Sequence, residues 1–198
     1  LKTHTVSLSL LILCLTLVAV SAMAQTIYEN GPVNGQVTGW PINFGFAVTD
    51  SYYQERGILI FSGFSFWAWL FPDSIISQVE VSIGSAPYGT DLFHGVVGLR
   101  QSNCFTNNDG YDVCLEYAEF PGVPNVNGRA WLTLQNANVL PFGDPVYWDQ
   151  NSGVGCMSSG CPSKALENGL NPVALIPSEA FTIDGLMSAS APAPGTLR

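Results

Sequence analysis

Apolar and polar residues alternate with a period of two through much of the chain. In the stretch from Arg129 to Asn151, Leu132 and Leu134 fall on one face of an extended strand, and Trp131, Thr133 and Gln135 on the other. Val146 and Trp148 alternate with Tyr147 and Asp149 in the same way, and Pro141, Gly143 and Pro145 break the two strands apart. Ile75, Ser77, Val79, Val81 and Ile83 define one face of a further strand, with Gln78, Glu80 and Ser82 opposite. The longest apolar run is Gly57 to Phe71. Its β-branched and aromatic content, and the alternation of Phe64, Phe66, Ala68 and Leu70, favour a central strand over a helix.

Shorter strands are predicted at Thr26–Tyr28, Val37–Trp40, Phe44–Val48 (ended by Asp50-Ser51), Leu92–Leu99, Val113–Phe120 and Ser178–Ile183. Asn107-Asn108-Asp109-Gly110 is hairpin-loop chemistry, because Asn, Asp and Gly tolerate positive φ. Gly153 to Asn171 reads as a long polar loop. The sum is an all-β antiparallel sandwich of about nine short strands, with a jelly roll among the arrangements it allows. No internal repeat or domain boundary interrupts residues 25–187, and residues 188–198 read as a disordered tail of small residues.

Leu1 to Ala24 has the form of a secretory signal peptide. Lys2 supplies the positive start, Val6 to Val20 the apolar run, and Ala22-Met23-Ala24 the cleavage site, which makes Gln25 the mature N-terminus. The apolar run is short for a membrane anchor, and no stable span is expected in the mature chain. Four cysteines then remain, Cys104, Cys114, Cys156 and Cys161. An even number in an exported chain points to disulfides, most simply the local pairs Cys104–Cys114 and Cys156–Cys161 among three connectivities. A four-thiolate zinc site is the alternative, but nine residues between Cys104 and Cys114 is a wide spacing for zinc ligands.

The formal net charge is −9, and without the leader it is −10, five basic residues against fifteen acidic. Nucleic acid and anionic membranes would be repelled, whereas neutral glycans, cations and basic partners would not. Nucleophilic catalysis lacks its parts. His94 is the one mature histidine and reads as a packed or surface residue, and there is no G-x-S-x-G, H-E-x-x-H or phosphate loop. A glycoside hydrolase needs only two carboxylates, for which Glu116, Glu119, Asp149 and Glu179 are available. A glycan site would place Trp131, Gln135, Trp148, Asp149 and Asn151 on a surface; the alternative is that Trp148 shares the Val146 face and fills the core. Calcium is a candidate cofactor through Asp149 and Asn151, or Asp109 and Asp112, although neither set has EF-hand spacing.

Five segments carry a family resemblance: Phe44-Gly45-Phe46-Ala47-Val48-Thr49-Asp50-Ser51, Phe64 to Pro72, Trp131 to Ala137, Val146-Tyr147-Trp148-Asp149, and Ile176 to Phe181. Together they resemble the exported β-rich domain of bacterial PEP-CTERM proteins, of the kind found in acidobacteria. The resemblance implies processing by signal peptidase and sorting to the cell envelope or exopolysaccharide by an exosortase system. Pro192-Ala193-Pro194-Gly195-Thr196-Leu197 reads as a degenerate form of the sorting motif, without the membrane segment that follows it in the family. The expectation is therefore a secreted, non-catalytic protein of the bacterial envelope or extracellular matrix, acting in adhesion or structural assembly. Its partners would be extracellular polysaccharide or envelope proteins. A carbohydrate-binding module and a glycoside hydrolase with an unrecognised carboxylate pair are the alternatives.

Overall fold

The computed structural model describes residues 25–36, 39–54, 58–124, 128–151, 165–168 and 174–187. The leader, the Cys156–Cys161 segment and residues 188–198 lie outside the described residues. Two antiparallel sheets pack against each other as a β-sandwich, and there is no helix among the described residues. Among the described residues there are thirteen strands: β1 (Gln25–Glu29), β2 (Gly39–Pro41), β3 (Ala47–Gln54), β4 (Ile58–Leu70), β5 (Ile75–Gly84), β6 (Phe93–Gly98), β7 (Arg100–Thr106), β8 (Asp112–Pro124), β9 (Gly128–Leu140), β10 (Tyr147–Asp149), β11 (Ala165–Asn168), β12 (Ala174–Ile176) and β13 (Phe181–Met187).

The apolar run of β4 is the centre of the first sheet. One edge pairs along its length with β8, which in turn pairs with β7. The other edge pairs with β13 from Ile58 to Phe66 and with β10 at Ala68 and Trp69. β1 and β2 lie outside β13 and β10. The second sheet runs β12-β11-β3-β9-β5-β6. Phe64, Phe66, Trp148 and Phe181 of the first sheet are buried in one core with Val48, Tyr52, Leu132, Leu134, Val81 and Ile83 of the second. Tyr52 reaches across with its ring 5.7 Å from Phe61 and 6.4 Å from Phe181. Each such aromatic stabilises the fold by roughly 1.5–3 kcal/mol through removal from water.

Several local expectations are corrected. Phe44-Gly45 is a tight turn rather than the start of a strand. Both residues have positive φ (55° and 86°), and the Phe46 N–H donates to the Asn43 carbonyl at 3.1 Å. β3 runs on past Asp50-Ser51 to Gln54, because Asp50 finds donors inside the sandwich. The β5–β9 ladder shifts register between Ile76 and Gln78 and again before Glu80. The shift flips the face: Ile76 is 1% exposed and Ile75 54%. β11 lies inside the expected 153–171 loop and covers the edge of β3. The Asn107–Gly110 loop does join β7 and β8, and Cys104–Cys114 is a disulfide at its base. Asn107 Oδ1 accepts from the Asp109 and Tyr111 N–H groups, which is why an Asn opens the loop. No helix of the described residues is long and apolar enough to cross a membrane.

Candidate functional site

The residues named as a glycan platform are not gathered on one surface. Trp148 is fully buried, edge-on to Phe66 and Phe181 at 6.0 and 5.7 Å, and its indole N–H donates to the Ala180 carbonyl at 3.1 Å. A stacking platform needs an open ring face, and Trp148 has none. Asp149 and Asn151 are buried beside it. The Asp149 carboxylate accepts from the Asn34 N–H (2.7 Å), the Gly35 N–H (2.9 Å) and the Trp69 indole (2.5 Å). The Asn151 amide donates to the carbonyls of Asn30 and Glu179. Trp131 is buried in β9, and Gln135 donates to Glu80 at 2.7 Å. Of the second calcium candidate, Asp112 accepts from the Thr106 hydroxyl at 3.0 Å, and Asp109 lies in the hairpin loop. Among the described residues no three His, Cys, Asp or Glu side chains are grouped to hold a metal.

The carboxylates offered as a hydrolytic pair divide sharply. Glu116, Asp149 and Glu179 are fully buried. Only Glu119 reaches solvent, in an ion pair with Arg100 at 2.9 Å. Burial pushes the Glu116 carboxyl up to about 8. It pushes Asp149 up to about 6, against the three donors that favour its charged form. Glu179 is raised well above the usual range, first by burial and then by the nearby charges of Asp50 and Asp149. Glu116 lies in β8 opposite Phe66, whereas Asp149 and Glu179 belong to a junction where the end of β10 meets the start of β13. Asp50 Oδ2 there accepts from Asn30 Nδ2, the Ser178 hydroxyl and the Glu179 N–H. Such an arrangement can fix chain segments to one another. His94 lies 2.8 Å from Glu80 on the surface, and this contact leads those that hold the Glu80 carboxyl below its usual range.

A different site emerges at one end of the sandwich, where the β2–β3 turn meets the β9–β10 connection. A pocket of about 320 Å³ opens there to solvent, within the size range of small-ligand sites. Phe44 and Phe142 stand at its mouth, 58% and 88% exposed. Ala137 and Val139 line its apolar part, and Asn43, Gln78, Asn136 and Asn138 supply amides. The scaffold is tightly tied. Asn43 donates to the Asp144 carbonyl at 2.9 Å and accepts from the Val146 N–H at 3.2 Å. Ser74 holds the Asp144 carboxylate at 2.8 Å, and the Ala137 N–H donates to the Ile42 carbonyl at 3.0 Å.

Two features of the pocket are unfavourable for folding alone. A phenylalanine at positive φ carries a Cβ clash of about 1–2 kcal/mol, and a ring more than half exposed recovers little of it by burial. Asn136 is also at positive φ (49°), in the bulge where two residues of β9 oppose one of β5. The bulge sends its side chain out to Glu80 at 2.7 Å. Asn138 Oδ1 is buried without a hydrogen-bond partner among the described residues. Backbone strain at Phe44 and two exposed rings are thus gathered at this pocket. In the sequence, Asn43-Phe44-Gly45 and Pro141-Phe142-Gly143 share a signal that can reveal this: an aromatic held inside turn chemistry. No protein-family model, curated protein or solved structure matches the chain.

Proposed function

We propose that the chain is an exported, non-catalytic β-sandwich module of a bacterial cell envelope or extracellular matrix. It acts in adhesion or structural assembly, and the Phe44–Phe142 pocket is its contact surface. The observation that carries this reading is the placement of chemistry. Three of the four candidate hydrolytic carboxylates are internal, whereas two aromatic rings are held open to solvent on a hydrogen-bonded scaffold. The Cys104–Cys114 disulfide is compatible with an oxidising, extracytoplasmic location, as the leader-like start of the sequence also suggests. The excess of acidic residues disfavours nucleic acid as a partner. The resemblance to PEP-CTERM proteins supports the envelope or exopolysaccharide as the destination.

The test is co-sedimentation of the purified chain with insoluble exopolysaccharide matrix and with envelope fragments from an exopolysaccharide-producing bacterium. The chain is expected in the pellet with at least one of them. Recovery in the supernatant from both would contradict an adhesive role. The pocket's amides favour one reading of the contact in particular, that of a carbohydrate-binding module.

A further inference from the structure

We infer that the Phe44–Phe142 pocket takes the ring of a neutral sugar, as one unit of an uncharged polysaccharide. The inference rests on the adhesive reading and names its ligand. A pyranose ring presents an apolar C–H face and a rim of hydroxyls. Phe44 and Phe142 offer exposed ring faces for the first. Gln78 and Asn136 offer carboxamides for the second, Asn136 while one of its N–H groups donates to Glu80.

The lining also says what is refused. Among the described residues no ionisable side chain lines the pocket. The neighbouring carboxylate, Glu80, is already engaged by His94, Gln135 and Asn136. A uronic acid or phosphate would find no counter-charge there, and the net charge of −9 opposes a polyanion at longer range. A peptide adding as a strand needs an open sheet edge, but β5 lies between β6 and β9, and β9 between β3 and β5. The tied loops leave little conformational freedom to lose on binding, which suits a shallow site for a small ligand unit.

Affinity electrophoresis of the purified chain tests this, in gels containing dextran, mixed-linkage β-glucan, galactomannan, or the acidic polymer alginate. At least one neutral polymer is expected to retard the chain, and alginate is not. Phe142→Ser is expected to weaken that retardation by roughly tenfold or more, with its melting temperature unchanged. Retardation by no neutral polymer would overturn the inference. So would retardation that survives Phe142→Ser, or self-association in sedimentation velocity that Phe142→Ser abolishes. Retention on crude matrix without affinity for any neutral polymer would sink the sugar assignment and leave the adhesive reading standing. Loss of both would sink both.

Discussion

Glu116 stands directly opposite Phe66 in the β4–β8 ladder, and both side chains are completely buried on the core face of the sheet. Neither carboxyl oxygen of Glu116 has a hydrogen-bond partner among the described residues. Burial therefore favours the protonated acid, with its pKa raised from 4.5 to about 8. In that window the folded chain holds a proton that the unfolded chain has released. Stability is then highest below the unfolded pKa and falls as pH rises through the folded one. Asp149 and Glu179 are raised too and act with the same sign. The melting temperature should be higher at about pH 5 than at about pH 8.5, by an amount equivalent to several kcal/mol. Glu116→Gln, neutral at every pH, should reduce that slope. A melting temperature that rises toward alkaline pH would show that Glu116 is not buried as described.

Trp148 and Phe142 should respond in opposite ways to truncation. Trp148→Ala removes a fully buried indole packed on Phe66 and Phe181, and should destabilise by about 3–5 kcal/mol in urea unfolding. Phe142→Ser removes a ring that is already in water and should change stability by less than about 0.5 kcal/mol.

Replacing the Cys104–Cys114 disulfide by two serines frees a hairpin loop whose ends are ten residues apart in sequence. The chain-entropy relation gives a loss of roughly 2–3 kcal/mol for a loop of that size. Unfolding midpoints of the wild type and the double variant, both without reductant, measure it.

Phe44→Asn should stabilise the fold. Asn adopts the left-handed region readily, so the substitution relieves a clash, which outweighs the loss of a ring that is already 58% exposed. A gain of about 1 kcal/mol is expected, which is a rise of ~2–4 °C in melting temperature for a domain of this size.

The sandwich was legible because the central parts of β4 and β9 alternate, Phe64, Phe66, Ala68 and Leu70 in one and Ala130, Leu132 and Leu134 in the other, so their core faces follow from periodicity, whereas the buried Glu116 of β8 does not. Ile75 misleads because a bulge is a backbone event without a fixed residue signature, and one shifted register exchanges the faces. Phe44 misleads because an aromatic raises the strand signal at the very residue that makes the turn. Asp50 reads as a strand terminator because its donors are remote: Asn30, Ser178 and Glu179 lie 20, 128 and 129 residues away. The same remoteness hid the pocket, whose two phenylalanines come from connections 98 residues apart in the chain (44 to 142). The candidate glycan residues were chosen by side-chain chemistry. Chemistry alone cannot separate an indole in the core from one on the surface, and of those five residues Gln135 is the sequence neighbour of a pocket residue, Asn136.

On the proposed function, the exposed rings at the end of the sandwich serve contact and not folding. The double variant Phe44→Asn/Phe142→Ser tests this, with melting temperature and co-sedimentation with exopolysaccharide matrix measured on the same preparation. A variant that melts no lower than the wild type and no longer enters the pellet is the predicted result. A variant that melts several degrees lower, or one that still sediments with the matrix, would contradict it.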